Sequence, residues 1–180
     1  MTVTQQTPPK PKAPHTATKL NLIAGQWAAG EGQTVRKLLN PADSTEVIAE
    51  VREASAAQVD AACEAAQKAY MRRRSTPVLE RLQFMFKFKE LLERNYLELA
   101  RLLVRENGKL LGEAKGDVRR GIDVVDFACS IPTLLQGKTL PDVSSNVDTY
   151  MVREPVGVVA GIPPFNFQAM IPLWTMPLAV

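Results

Sequence analysis

The chain has 180 residues, 46% hydrophobic and 23% charged, with a formal net charge of +3. That is an ordinary soluble composition for one domain or slightly more, able to bury roughly 70% of the surface its unfolded chain exposes. The small charge excess sits partly in Lys10, Lys12 and Lys19 and in Arg72-Arg73-Arg74, so it carries no nucleic-acid footprint. His15 is the only histidine, and Cys63 and Cys129 are the only cysteines. Within these residues that excludes most metal sites, a Ser-His-Asp triad and a Cys-His pair. Two cysteines without a framework fit a reducing compartment.

Residues 1–18 hold four of the thirteen prolines and little apolar matter, which reads as a disordered tail. They lack the apolar stretch of a signal peptide and the arginines of a mitochondrial presequence. No apolar run reaches membrane-spanning length. A cytoplasmic protein is expected. Residues 20–24, 35–39 and 46–51 read as short strands, with turns at Gly25-Gln26-Trp27 and Asn40-Pro41-Ala42-Asp43. Ser55 followed by Gln58 is a capping-box pattern. The helix it opens runs to about Arg73 and carries Val59, Ala62, Cys63, Ala66 and Ala69 on one face.

Thr76-Pro77 predicts the start of a second helix, with Val78, Leu82, Met85, Phe88 and Leu92 as its apolar stripe. A third helix covers about 96–106 and stops at Asn107-Gly108. A fourth runs from about 110 or 113 to 130, with Val118, Ile122, Val125 and Cys129 along one side, and Pro132 ends or bends it. Residues 146–154 alternate apolar and polar, as a half-exposed antiparallel strand does. Pro155 separates them from VGVVAGI, apolar on both faces, the pattern of a strand in a covered parallel sheet. Together these elements predict an α/β protein.

In an open α/β sheet, ligands bind beyond the carboxyl ends of the strands. Ile162-Pro163-Pro164-Phe165-Asn166 lies at that end of VGVVAGI. The prolines stop the strand and stiffen the turn. Asn166 then has two readings: a cap for the helix FQAMIPLW, or a fixed amide donating to an oxygen that becomes negative in a transition state. There is no GxGxxG fingerprint here. Cys129, on the apolar face of its helix, reads as an inert core thiol and not as a nucleophile, and Cys63 reads the same way. Arg72-Arg73-Arg74 reads as a helix C-terminus.

GIPPFNF, following REPVGVVA, resembles the PWNFP-type segment of the aldehyde dehydrogenase superfamily. ENGKLLGEAKGDVRRGIDVVDFACS resembles that superfamily's helix before the first Rossmann strand. PFNFQAMIPLW together with RGIDVVDFACSIPTLLQGK looks most like the CoA-acylating methylmalonate-semialdehyde dehydrogenases. The resemblance covers about residues 19–180.

The resemblance implies the N-terminal portion of a Rossmann-like NAD-binding domain with one strand of an oligomerisation domain. The implied layout is a tail at 1–18, N-terminal strands and helices at 19–138, the oligomerisation strand at 139–154, and the first Rossmann strand with the start of its helix at 155–180. It makes Asn166 an oxyanion-hole donor for the hemithioacetal formed by a cysteine thiolate on the aldehyde. Pro163 and Phe165 match the turn lining the NAD site. Arg120 matches an arginine near the substrate, suited to a small carboxylated semialdehyde; read without the resemblance it is a solvated surface arginine. Arg119 points about 100° away around the helix, so at most one of the two faces the site. Gln168 stands where proline is usual.

The whole enzyme would use NAD with CoA as co-substrate and form a homo-oligomer, a tetramer when complete. It would need no metal, no nucleic acid and no membrane. Its nucleophile is expected beyond Val180, so these residues alone are expected to be inactive. Two alternatives stay open: a hydrolytic semialdehyde dehydrogenase, and a non-catalytic assembly module. A lone chain would leave apolar surface exposed over residues 156–162 and 170–180.

Overall fold

The computed structural model of the protein describes residues 17–180. His15 and most of the expected tail lie outside the described residues, although Ala17 and Thr18 already belong to a strand. The chain divides into two compact units.

The first unit comprises residues up to Ala69 together with Arg105–Gly108. Strands β1 (Ala17–Lys19), β2 (Asn21–Ile23), β3 (Gln26–Ala28), β4 (Val35–Asn40) and β5 (Asp43–Arg52) form two sheets. β2 and β3 are an antiparallel hairpin. β4 and β5 are another, closed at the pair Asn40–Asp43, and β1 lies parallel to β5. The predicted turn holds because Asn40 Oδ1 accepts the Ala42 N–H at 2.9 Å, an Asx turn. The Asn40 amide also donates to Glu46 at 2.7 Å. Ile48 and Ala49 are the buried residues of β5.

Helix α1 (Ala56–Arg73) starts as predicted, with both halves of the capping box formed. The Gln58 N–H donates to Ser55 Oγ and the Ser55 N–H donates to Gln58 Oε1, each at 3.2 Å. Gln58 does more than cap. Its Oε1 also accepts the Glu31 N–H and its Nε2 donates to the Ala29 carbonyl, both at 2.8 Å, so one buried amide pins the loop before β4. The expected apolar face of α1 is only half-buried at Ala62, Ala66 and Ala69, and Val59 and Cys63 are exposed.

The second unit comprises Tyr70–Val104 and Lys109–Val180. It contains the end of α1, α2 (Val78–Arg94), most of α3 (Tyr96–Asn107), α4 (Leu111–Ala128), α5 (Ile131–Leu134), β6 (Lys138–Ser144), β7 (Val147–Met151) and α6 (Met170–Ala179). Arg72 and Arg73 lie in the last turn of α1, where cations complement the helix dipole. α2 differs from expectation at its start. Pro77 and not Thr76 occupies the cap position, and no side chain caps it. Its stripe is as expected, with Leu82 and Met85 buried. Ala100 and Leu103 of α3 close a core with Ala114, Val118 and Ile122 of α4. Pro132 sits near the start of the short α5 and so separates it from α4.

Two β expectations are corrected. The single strand expected over 146–154 is the second arm of an antiparallel hairpin, β6–β7. β6 escapes pattern reading because Pro141 interrupts it and Asp142 has φ of 48°, where the register shifts. The strand VGVVAGI does not form: residues 152–164 have no regular secondary structure. No parallel neighbour exists for it among the described residues. Val156 (94%) and Ile162 (97%) are accordingly exposed, as expected of the segment by itself.

Glu46 ties β5 to the end of α3. It accepts from Asn40 and from Arg105, whose Nη2 lies 2.5 Å away. These hydrogen bonds, Asn40's first, hold its carboxyl below the ordinary value. A lowered carboxylate stabilises fully above its unfolded pKa, and that contribution is lost as pH falls through the folded value. Glu46→Gln is therefore expected to cost stability at neutral pH and to cost progressively less in acid. Circular-dichroism melts of both proteins across the acid range test this; a difference independent of pH would refute it.

Candidate functional site

The site is built on the packing of α6 against α4. Met170, Leu173 and Pro177 are the buried residues of α6. Asp117, Val118, Gly121, Ile122, Val125 and Ala128 are among those of α4. This face is wider than the predicted stripe, and it includes an aspartate and a glycine one turn apart. Gly121 allows the close approach: a Cβ there would lie 2.6 Å from Leu173 Cδ1 and 3.3 Å from its Cβ.

Asp117 is the polar residue that sequence reading missed. Its side chain is 1% exposed. One carboxylate oxygen accepts the Met170 N–H at 2.8 Å, and the other accepts Lys109 Nζ at 2.5 Å. The remaining first-turn donors of α6 are also satisfied. The Ile171 N–H reaches the Phe167 carbonyl, the Leu173 N–H reaches the Ala169 carbonyl, and Pro172 has none. The Lys109 ammonium lies 4.8 Å from the Phe167 ring centroid, a cation–π contact. An aspartate on the apolar face of α4, one turn before a helical glycine, was the available signal.

Asn166 and Phe165 are exposed in the turn just before these anchors, and Pro163 is exposed in the segment leading to it. Asn166 does not cap the helix, because α6 starts at Met170 and its first amide is taken by Asp117. This removes the cap reading. Pro163 and Pro164 have no N–H to offer. Of this segment, the exposed Phe165 ring and the proline carbonyls are groups of a kind that could face a dinucleotide. Gln168 is held with its amide N and O buried and unpartnered among the described residues.

The paired arginines of α4 separate as helical geometry requires. Arg119 makes a two-pronged contact with Glu93 at 2.6 and 2.8 Å and stacks 4.9 Å from the Tyr96 ring. That fork holds the Glu93 carboxyl below its ordinary range. Arg120 is exposed and has no ion-pair partner among the described residues. Asn166, Pro163 and Phe165 thus lie together along one exposed segment, and Arg120 lies on the helix that anchors it. Cys129 is half-buried, and burial raises its thiol above the ordinary value, so it stays protonated. No helix among the described residues is long and apolar enough to cross a membrane.

The two helical glycines of α4 give a paired test of the packing. An added Cβ at Gly116 meets nothing within 4 Å, whereas one at Gly121 meets Leu173. Gly116→Ala should gain up to about 1 kcal/mol of helix propensity. Gly121→Ala has the same gain but an overpacking cost of about 1–3 kcal/mol, and should lower Tm. Equal Tm shifts for the two substitutions would refute the close approach.

Comparison with known proteins agrees with this architecture. The model of the aldehyde dehydrogenase family matches residues 27–180. The chain is 46% identical over 167 residues to malonate-semialdehyde dehydrogenase 1 of Geobacillus kaustophilus (strain HTA426), covering 93% of this chain and 34% of that protein. It is 44% identical over 160 residues to the acylating, mitochondrial methylmalonate-semialdehyde dehydrogenase of Arabidopsis thaliana, covering 89% of this chain and 26% of that one. Among solved structures, the methylmalonate-semialdehyde dehydrogenase of Oceanimonas doudoroffii superimposes with a TM-score of 0.84 at 40% identity, over 91% of this chain and 33% of that one. A Sinorhizobium meliloti 1021 protein complexed with NAD gives 0.84 at 38% identity, over 90% and 33%. The chain spans between about a quarter and a third of the length of these relatives, and its α/β fold is that of the solved structures over the shared part. The likeness expected from GIPPFNF is met along nearly the whole described chain, which belongs to the aldehyde dehydrogenase family.

Proposed function

We propose that this chain is the N-terminal third of an NAD-dependent, CoA-acylating malonate- or methylmalonate-semialdehyde dehydrogenase. The observation that carries the reading is Asn166, exposed in a turn whose following residues are anchored to α4. In the complete enzyme a cysteine outside these residues attacks the aldehyde, and the hemithioacetal oxygen takes up negative charge. The Asn166 amide donates to that oxygen. Donors fixed before the reaction need no reorganisation during it. The carbonyls and ring of Pro163 and Phe165 line one face of the cofactor. NAD, when bound, supplies the hydride acceptor.

CoA then takes the acyl group from the cysteine. Loss of the substrate carboxylate as CO₂ gives acetyl-CoA from malonate semialdehyde or propionyl-CoA from its methylated form. Arg120 binds that carboxylate. Among the described residues its guanidinium has no ion-pair partner to give up, in contrast to Arg119, which Glu93 occupies. The β6–β7 hairpin, exposed along its whole length, joins the subunits of a homo-oligomer. These residues by themselves carry no aldehyde oxidation, because the nucleophile is elsewhere, and the enzyme works in the cytoplasm.

Two measurements on the full-length enzyme test the reading. Asn166→Ala should lower kcat by about 10²–10³, the usual cost of one oxyanion donor, and an unchanged kcat would refute it. Arg120→Leu should raise KM for the carboxylated semialdehyde at least about tenfold, as loss of a charged hydrogen bond does, while KM for propanal moves little. Equal effects on the two substrates would dismiss the carboxylate role.

A further inference from the structure

We infer that Asp117 is a positioning residue for Asn166, and that it acts through the start of α6. The inference rests on the oxyanion reading of Asn166 given above. Asn166 is followed directly by Phe167, and three residues later by Met170. Both are held from the same place. The Asp117 carboxylate takes the Met170 N–H with one oxygen and Lys109 Nζ with the other, and that ammonium lies over the Phe167 ring. Asp117 and Lys109 are both largely shielded, at 1% and 14% side-chain exposure, so water does not screen or replace these contacts.

The arrangement fixes the turn at two points on the helix side of Asn166. On its other side Pro163 and Pro164 restrict the backbone. An exposed amide that must donate along one direction needs such a frame, because a displacement of about 1 Å can cost a hundredfold in rate. A capping role alone would not require a charged residue on a neighbouring helix, nor a lysine shared with the residue beside the donor. Asp117 reaches the reacting atoms only through this frame, so its removal should change kcat and leave binding nearly untouched.

A mutant cycle in the full-length enzyme separates the possibilities. Asp117→Ala should lower kcat by about ten- to a hundredfold, with KM for the aldehyde and Kd for NAD within about threefold of wild type. In an Asn166→Ala background the same substitution should cost less than about twofold, since the donor it positions is gone. Asp117→Asn keeps an acceptor for the Met170 N–H and should recover most of the loss.

A purely structural role predicts equal losses in both backgrounds, and that result overturns the inference. So does Asp117→Ala with unchanged kcat in an enzyme that Asn166→Ala cripples. If Asn166→Ala itself has no effect, the oxyanion reading fails and this inference falls with it. Should Asp117→Ala not yield folded protein, Lys109→Gln, which removes the ammonium that holds both Asp117 and Phe167, is compared in the two backgrounds. A kcat loss confined to the enzyme retaining Asn166 supports the inference, and any other pattern overturns it.

Discussion

A helix that begins inside a protein carries amide hydrogens that its own turns cannot satisfy. In α6 the Met170 N–H finds its acceptor on a different helix, at Asp117, and the rest of the second unit's organisation around the candidate site follows from that bond. The carboxylate is buried, so it in turn requires a cation, which Lys109 provides. Lys109 reaches the pair while lying over Phe167, so the loop before α6 is fixed as well as the helix. Gly121, one turn along α4, lets Leu173 come close enough for the pairing to persist along the interface. A polar interaction and a steric allowance on one helical face thus define where Asn166 is displayed.

Much of this was legible in the sequence wherever one local rule decided the outcome. The capping box at Ser55 and Gln58 forms because both of its hydrogen bonds are local. The Asn40–Asp43 turn forms for the same reason. The Val118, Ile122, Val125 stripe is buried because its spacing puts those residues on one side. The GIPPFNF motif pointed to the family that the wider comparison then supported.

Non-local features were not legible. Asp117 carries no local signal of its role, since its two partners lie 8 residues away at Lys109 and 53 away at Met170. Without that contact, spacing alone favours Asn166 as a cap for the helix that follows it. β6 is masked by Pro141 and by the left-handed backbone at Asp142 within the strand. VGVVAGI was read as a strand from its apolar content, but a strand exists only with a neighbour to complete its ladder, and none is present among the described residues.

That unpaired segment has a consequence for how the chain behaves in company. Seven uncharged residues, rich in valine and with free backbone edges, are the kind of sequence that recruits identical strands from other molecules. Here the stretch is bracketed. Pro155 precedes it, Pro163 and Pro164 follow it, and Arg153 and Glu154 add charge at one end. Proline contributes no ladder donor, so pairing that starts within the seven residues cannot spread past either end. The residues that stiffen the turn before Asn166 therefore also act as gatekeepers, limiting self-association of this apolar stretch wherever it is unpaired.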